Sequence, residues 1–317
     1  MAEKTIVIAL GGNAIKQSDQ DGTTEEQVAN VDVTARQVVS IMENGYRVVI
    51  THGNGPQAGN LLIQQEEAAD LVPPQDLTVC GAMTQGQIGW MIQNRIGYHL
   101  QKRGIYKNAV SIVTQVCVDK QDPDFQDPSK PVGPYYTKEQ AELLHRKKGY
   151  VVREVKPGSS RPWRRVVPSP EPLEIVEKSA ITSLLNQGFI VVASGGGGIP
   201  VTQNGDGCYT GVNAVIDKDK AGFKLAQAVK SDILMILTDV EQVFLNYNTD
   251  KQQALSSVSL EKCRKYYNEG HFLRGSMGPK ILACTRFTEW SGKESIITSL
   301  EKASEALEGK AGTRIIP

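Results

Sequence analysis

The sequence predicts an α/β protein: an open, mostly parallel sheet sandwiched by helices on both faces, with a small inserted subdomain. Three observations predict it. Short β-branched runs with apolar residues at consecutive positions recur along the chain, the mark of strands covered on both faces. Segments of helical period separate them, and strand alternating with helix implies parallel pairing. Glycine-bearing turns follow three of the strands.

The first strand is "TIVIAL", Thr5 to Leu10. A helix over Thr24 to Asn44 follows, opened by a capping box of Thr24 with Gln27 and closed before Gly45. "RVVITH" (Arg47 to His52) is the second strand, and a long helix, Leu77 to Arg103, closes before Gly104. "AVSIVTQV", Ala109 to Val116, reads as one further strand. The alternation then breaks. Nine of the fifteen prolines lie between Gln115 and Pro172, around one helix-like piece (Thr137 to Lys147) and the strand-like "YVVREV". A structureless loop of that length would be unusual, so residues of about 118–172 are expected to form a small subdomain of their own. Alternation resumes with "FIVVAS", a helix from Lys218 to Lys230, "DILMIL" (Asp232 to Leu237), a helix starting near Ser276, and "SIIT" (Ser295 to Thr298).

Composition limits the function. A chain of 317 residues suits one large α/β domain or two modest ones. Lys plus Arg and Asp plus Glu each total 35, so no global field draws nucleic acid or an acidic membrane, and anion binding must be local. The basic and aromatic "RPWRRV", Arg161 to Val166, reads as a solvated edge rather than a nucleic-acid patch. Five scattered cysteines without a C-x-x-C pair speak against a zinc site or a disulfide framework. No run approaches about 18 apolar residues, and the N-terminus lacks a signal pattern, so a cytoplasmic location without nucleic-acid or membrane partners is expected.

The turns "GGNA" (Gly11 to Ala14), "HGNGPQAG" (His52 to Gly59) and "SGGGG" (Ser194 to Gly198) each follow a strand. In a parallel sheet all strand C-termini share one edge, so the three can converge there and offer main-chain N–H groups to an anion. Glycine suits such places because a Cβ would hold the anion away. Gly53, Gly55 and Ala58 match G-x-G-x-x-A, but no strand tip about twenty residues on offers an acid for a ribose, and the Walker pattern is absent. Lys218 beside Asp219, and Lys280 in a first helical turn, read from the residues alone as surface charges or as an anion clamp. His52, at a strand end, reads as a hydrogen-bonded structural residue near that edge.

Taken together, "IALGGNAI", "THGNGPQAG", "GAMTQGQIG", "DPSKPVGP", "ASGGGGIPV", "AVIDKDKAG", "LTDVEQVF" and "GSMGPKI" resemble, in content and order, the blocks of the amino-acid-kinase family and within it of its carbamate branch. The resemblance runs from Ile8 to the terminal "TRIIP". It implies a single amino-acid-kinase-like domain over 1–317, with an acceptor-binding lobe (1–215) carrying a lid of about 118–172 and a nucleotide-binding lobe (216–317). It implies reversible phosphoryl transfer between ATP and carbamate, with Mg2+ carried on the phosphates of ATP or ADP, and a place in arginine metabolism by the deiminase pathway.

The resemblance also assigns residues. Lys130, Lys218 and Lys280 would contact phosphoryl or acceptor oxygens, and Asp219 would orient the lysines. Gly11, Gly12, Asn13, Gly53, Asn54, Gly195, Gly196 and Gly197 would cradle the transferring group and the acceptor. Thr238, Asp239, Val240, Tyr247, Met277 and Gly278 would border the nucleotide, Tyr247 being equally readable as surface. Many kinases of this fold carry a lysine on the first strand, where this chain has "IALGGN"; Lys218 would replace it, as is typical of the carbamate branch. Carbamate is already an anion, so no general base is required. No protein metal ligands are expected. The spaced glycines of "GAMTQGQIGW" would allow close helix packing, and in this family that helix lies near a two-fold interface, which implies a homodimer. Three readings stay open beside this one: a kinase of the same fold acting on an amino-acid carboxylate, a non-catalytic nucleotide-binding regulator, and a dinucleotide-dependent oxidoreductase.

Overall fold

In β1 (Lys4–Leu10), Ile6, Ile8 and Leu10 project to one face and Val7 and Ala9 to the other, and all five are buried. Such a strand must lie between two layers. The computed structural model describes residues 3–273 and 276–317 and places a separate apolar core on each side of it. Burying each Ile, Leu or Val stabilises the fold by roughly 1.5–3 kcal/mol. Gly275, with which the stretch "GSMGPKI" begins, lies outside the described residues.

The elements that build the domain are, in order, α1 (Thr24–Glu43), β2 (Tyr46–His52), α2 (Gly55–Glu67), α3 (Leu77–Lys102), β3 (Ala109–Ser111), α4 (Lys138–Lys148), α5 (Lys178–Asn186), β4 (Ile190–Val192), α6 (Lys218–Ala228), β5 (Ile233–Thr238), β6 (Ser257–Ser259), α7 (Leu260–Asn268), α8 (Met277–Ser291), β7 (Ser295–Ser299), α9 (Ala303–Leu307) and β8 (Thr313–Ile316). The main sheet runs β6-β8-β7-β5-β1-β2-β4-β3. Within this sheet, among the described residues, only the β7–β8 pair is antiparallel. The expected open, mostly parallel sheet between helical layers is therefore present.

Two local expectations are corrected. The cap of α1 is Thr23, one residue earlier than read: its hydroxyl accepts the Glu26 N–H and the Glu26 carboxylate accepts the Thr23 N–H at 2.9 Å. Gln27 instead turns inward and meets Gln57. The run Ala109 to Val116 is two strands. The Gln85 side-chain amide grips both the N–H (2.7 Å) and the C=O (3.1 Å) of Thr114, and the same carbonyl accepts the Ile199 N–H (2.9 Å), so the chain leaves β3 here and turns toward a second partner strand. The chain then enters a second sheet as Gln115–Val118, between Ile199–Gln203 and Pro172–Ile175, with Tyr209–Gly211 on the far side of Ile199–Gln203. Periodicity cannot report such a clamp, because the apolar pattern continues through it.

The proline-rich region holds a three-stranded antiparallel sheet of Lys130–Tyr136, Val152–Glu154 and Trp163–Val167, with α4 between its first two strands. Its root is tied by Asp122 and Asp124, whose carboxylates accept the N–H groups of Glu171 and Ser169. Among the described residues no helix is long and apolar enough to cross a membrane.

Candidate active site

The three glycine turns meet along the edge formed by the C-termini of β1, β2 and β4. Gly53 N–H donates to Leu10 O (3.1 Å), Gly11 N–H to Leu237 O (3.0 Å) and the Thr51 hydroxyl to Ser194 O (2.8 Å), so each turn is pinned to its neighbour. Gly53 lies so close to the Lys218 stem that an added Cβ would sit 3.2 Å from Cδ and 3.7 Å from Gly12 N.

The tetraglycine segment is tighter than a linker. Ser194 holds φ +56° and Gly197 φ +94°, and a Cβ on Gly197 would lie 2.3 Å from the Ile216 carbonyl oxygen. Gly196 forms part of a cavity wall with Gly198. Gly195 and Gly197 stand behind them, the former against the His52 ring, so their contribution is close packing rather than contact with the cavity. His52 is buried, its Nδ1 within 2.9 Å of Gly53 O. Burial depresses its pKa to about 4, which leaves it neutral at pH 7.

The start of α6 organises the charges. Asp217 is its N-cap: Oδ1 accepts the N–H groups of Asp219 (2.9 Å) and Lys220 (3.4 Å), while Oδ2 accepts from Lys130 Nζ (3.0 Å). Asp219 is 2% exposed and lies between two ammonium groups, Lys218 Nζ at 2.6 Å from Oδ1 and Lys280 Nζ at 3.5 Å from Oδ2. Lys280 also reaches Ser276 O at 3.3 Å. Burial, and then the nearby Lys218 charge, push the Lys280 pKa down against the pull of Asp219 and Asp217. Burial alone would raise the Asp217 carboxyl, but Lys130 and Lys218 overcome it and hold the group at about 2. Three cations thus surround two carboxylates, leaving one local excess positive charge in a chain of zero net charge.

Two cavities adjoin this cluster. One, of about 290 Å³, is bordered by Gly11, Gly12, Asn13, Thr238, Asp239, Val240, Tyr247 and Met277, all expected, by Phe244, which ends the block "LTDVEQVF", and by His271, Phe272 and Leu273, which no quoted motif contains. The other, of about 580 Å³, is bordered by Gly53, Asn54, Gly196, Lys130, Asp217 and Asp219. Gly12, Lys218, Ser276 and Lys280 belong to both walls. A group passing from one cavity to the other would pass those four residues. Gly278 borders neither: it packs beneath Leu273, where a Cβ would be 3.1 Å from the carbonyl oxygen.

Arg164 corrects the reading of "RPWRRV" as a solvated edge. It faces the larger cavity, its guanidinium donating twice to Gly133 O (3.1 and 2.7 Å) and lying 5.0 Å from the Tyr135 ring centroid. Nothing in its sequence neighbourhood marks it, whereas Asp217 could have been found as the acid preceding a helix start. Among the described residues no group of three or more His, Cys, Asp or Glu could hold a metal unaided.

Residues 4–299 match the model of the amino acid kinase family. The chain is 55% identical over 316 residues to a carbamate kinase of Pyrococcus furiosus, covering 99% of both, and 47% identical over 314 residues to one of Trichomonas vaginalis, covering 98% and 99%. Among solved structures, a carbamate kinase from Giardia lamblia bound to AMP-PNP superposes with a TM-score of 0.94 at 45% identity, covering 99% of both chains. N-acetylglutamate synthase from Neisseria gonorrhoeae, at 13% identity and a TM-score of 0.52 over 99% of this chain and 61% of that one, shares the fold alone.

Proposed function

The chain belongs to the amino acid kinase family and within it to the carbamate kinases, and from that premise we propose how its residues move a phosphoryl group between ADP and carbamate. The observation that carries the reading is the shared wall, Gly12, Lys218, Ser276 and Lys280, between two otherwise separate cavities. ADP or ATP would occupy the smaller one. Its aromatic and apolar border (Phe244, Tyr247, Phe272, Met277) suits a base, and its mouth at Gly11 to Asn13 suits phosphates. A relative of 45% identity has been solved with AMP-PNP, which agrees with a nucleotide here. Carbamoyl phosphate or carbamate would occupy the larger cavity.

Phosphoryl transfer needs in-line positioning and neutralisation of charge on oxygen rather than covalent help. Lys218 and Lys280, held by one buried carboxylate, would take the equatorial oxygens as they pass, and the Gly12 and Gly53 turns would leave room for them. Lys130 would add a third positive charge on the acceptor side. The carbamate oxygen attacks as an anion, so no residue needs to remove a proton, and buried neutral His52 is not asked to.

Mg2+ suits this donor set only as a passenger on the nucleotide. It would be held by phosphate oxygens and water, with Asp239 the exposed carboxylate available on the cavity border, and would supply charge neutralisation. We further take residues 1–215 as an acceptor lobe, 216–317 as a nucleotide lobe and about 118–172 as a lid carrying Lys130. We also take the protein to be a cytoplasmic homodimer serving the arginine deiminase route. The half-exposed Trp90 and Tyr98 on α3 support an interface there.

The test is ATP formation from ADP and carbamoyl phosphate, followed by a panel of carbamate, glutamate, aspartate and acetylglutamate as acceptors. Carbamate should be phosphorylated fastest; any of the other three outpacing it would replace the substrate assignment.

A further inference from the structure

Lys130 arrives at the site from 87 residues away, on the first strand of the insert, and its ammonium has one bonded partner among the described residues, Asp217. Asp217 is poorly exposed and divides its two oxygens between two tasks. Oδ1 caps α6 through the N–H groups of Asp219 and Lys220, and Oδ2 holds Lys130 at 3.0 Å. One carboxylate therefore ties the insert to the helix that also carries Lys218 and Asp219. The cationic neighbours facing it are Lys130 and Lys218, and its ionised form persists at neutral pH.

We propose that Asp217 is a positioning residue for the transfer: it presents the Lys130 ammonium to the acceptor cavity and fixes it relative to Lys218. The inference rests on the kinase reading above. A lysine side chain free in solvent samples many rotamers, and the order needed to meet an acceptor would have to be supplied by substrate binding. Here it is supplied beforehand. An ammonium has three N–H donors, so a bond to Asp217 leaves two for acceptor or phosphoryl oxygens. Asp217 thus supports Lys130 without consuming it.

The experiment is steady-state ATP formation by Asp217→Asn in the parent and in a Lys130→Ala background, with carbamoyl phosphate and ADP varied in turn. Asn retains an oxygen for the α6 cap but loses the charge that holds Lys130. The proposal expects KM for carbamoyl phosphate to rise about tenfold, KM for ADP to stay within twofold, and both to be unmoved by the substitution once Lys130 is absent. An unchanged KM for carbamoyl phosphate, an equal rise in KM for ADP, or the same loss in both backgrounds would overturn it, the last leaving Asp217 a helix cap only. Should Asp217→Asn not fold by circular dichroism, Asp217→Ser, which caps but does not reach Lys130, carries the same comparison. If the parent makes ATP and Lys130→Ala is impaired while Asp217→Asn behaves as the parent, this proposal alone fails. A parent that makes no ATP removes the kinase reading and this proposal with it.

Discussion

Gly12 stands where the two cavities join, and an added Cβ there would meet no heavy atom within 4 Å. Gly12→Ala should therefore fold with a urea midpoint equivalent to within about 0.5 kcal/mol of the parent. It should also lose at least about tenfold in kcat/KM, because the methyl group occupies space the phosphoryl group needs. Normal turnover in a normally folded variant would place the transfer elsewhere. His52 makes a prediction of the opposite kind, on stability rather than rate. Its folded pKa of about 4 lies below the ordinary value of about 6.5, so the unfolded chain binds the proton more readily and stability falls as pH drops through that interval. This one group should then cost about 3 kcal/mol at pH 4. Urea unfolding at pH 7 and pH 4 should show a smaller drop for His52→Asn than for the parent; equal drops would assign the acid sensitivity to other groups. The lysines and Asp219 were legible in the sequence because whole motif blocks resemble known ones. Arg164 and His271 were not, since each reaches its cavity through folding of a segment whose local pattern is ordinary.

The tetraglycine turn is read as an anion bed from its place behind a strand, yet only half of its glycines face a cavity. The others are fixed by neighbours far away in sequence. Gly197 combines φ +94° with the Ile216 carbonyl oxygen 2.3 Å from where a Cβ would be. Strained backbone of this kind costs about 1–3 kcal/mol, and the overlap adds to it. Gly197→Ala should destabilise by about 3 kcal/mol or more in urea unfolding, while Gly205→Ala, at an exposed turn with open space around it, should change little. Similar losses in both would mean that the close approach to Ile216 does not govern this turn. The ends of α1, α3 and α4 were readable to within a residue because caps are local, whereas α6 ends at Ala228, two residues short of the reading. The break between Ala109–Ser111 and Gln115–Val118 was not, because the clamp comes from Gln85 on α3.

Across the whole molecule, buried apolar runs were enough to read a parallel sheet, but not its strand order. Ile6 pairs with Ile233 and Thr5 with Arg47, and no local pattern encodes pairings of that range. The order matters because it seats β5 beside β1, bringing Thr238 and Asp239 next to Gly11 and Gly12 on one cavity border. The second sheet and the insert then enclose the larger cavity, with Lys130 and Arg164 reaching it from the insert. Function on this account is a property of the junction: two pockets from different parts of the chain, joined where Lys218 and Lys280 share Asp219. The most direct measurement is single-turnover ATP formation from ADP and carbamoyl phosphate by Lys218→Ala and Lys280→Ala. Each should lose about 10²–10³-fold in rate while binding ADP within about threefold of the parent. Rates close to the parent in both variants would contradict the claim that the phosphoryl group crosses between these two lysines.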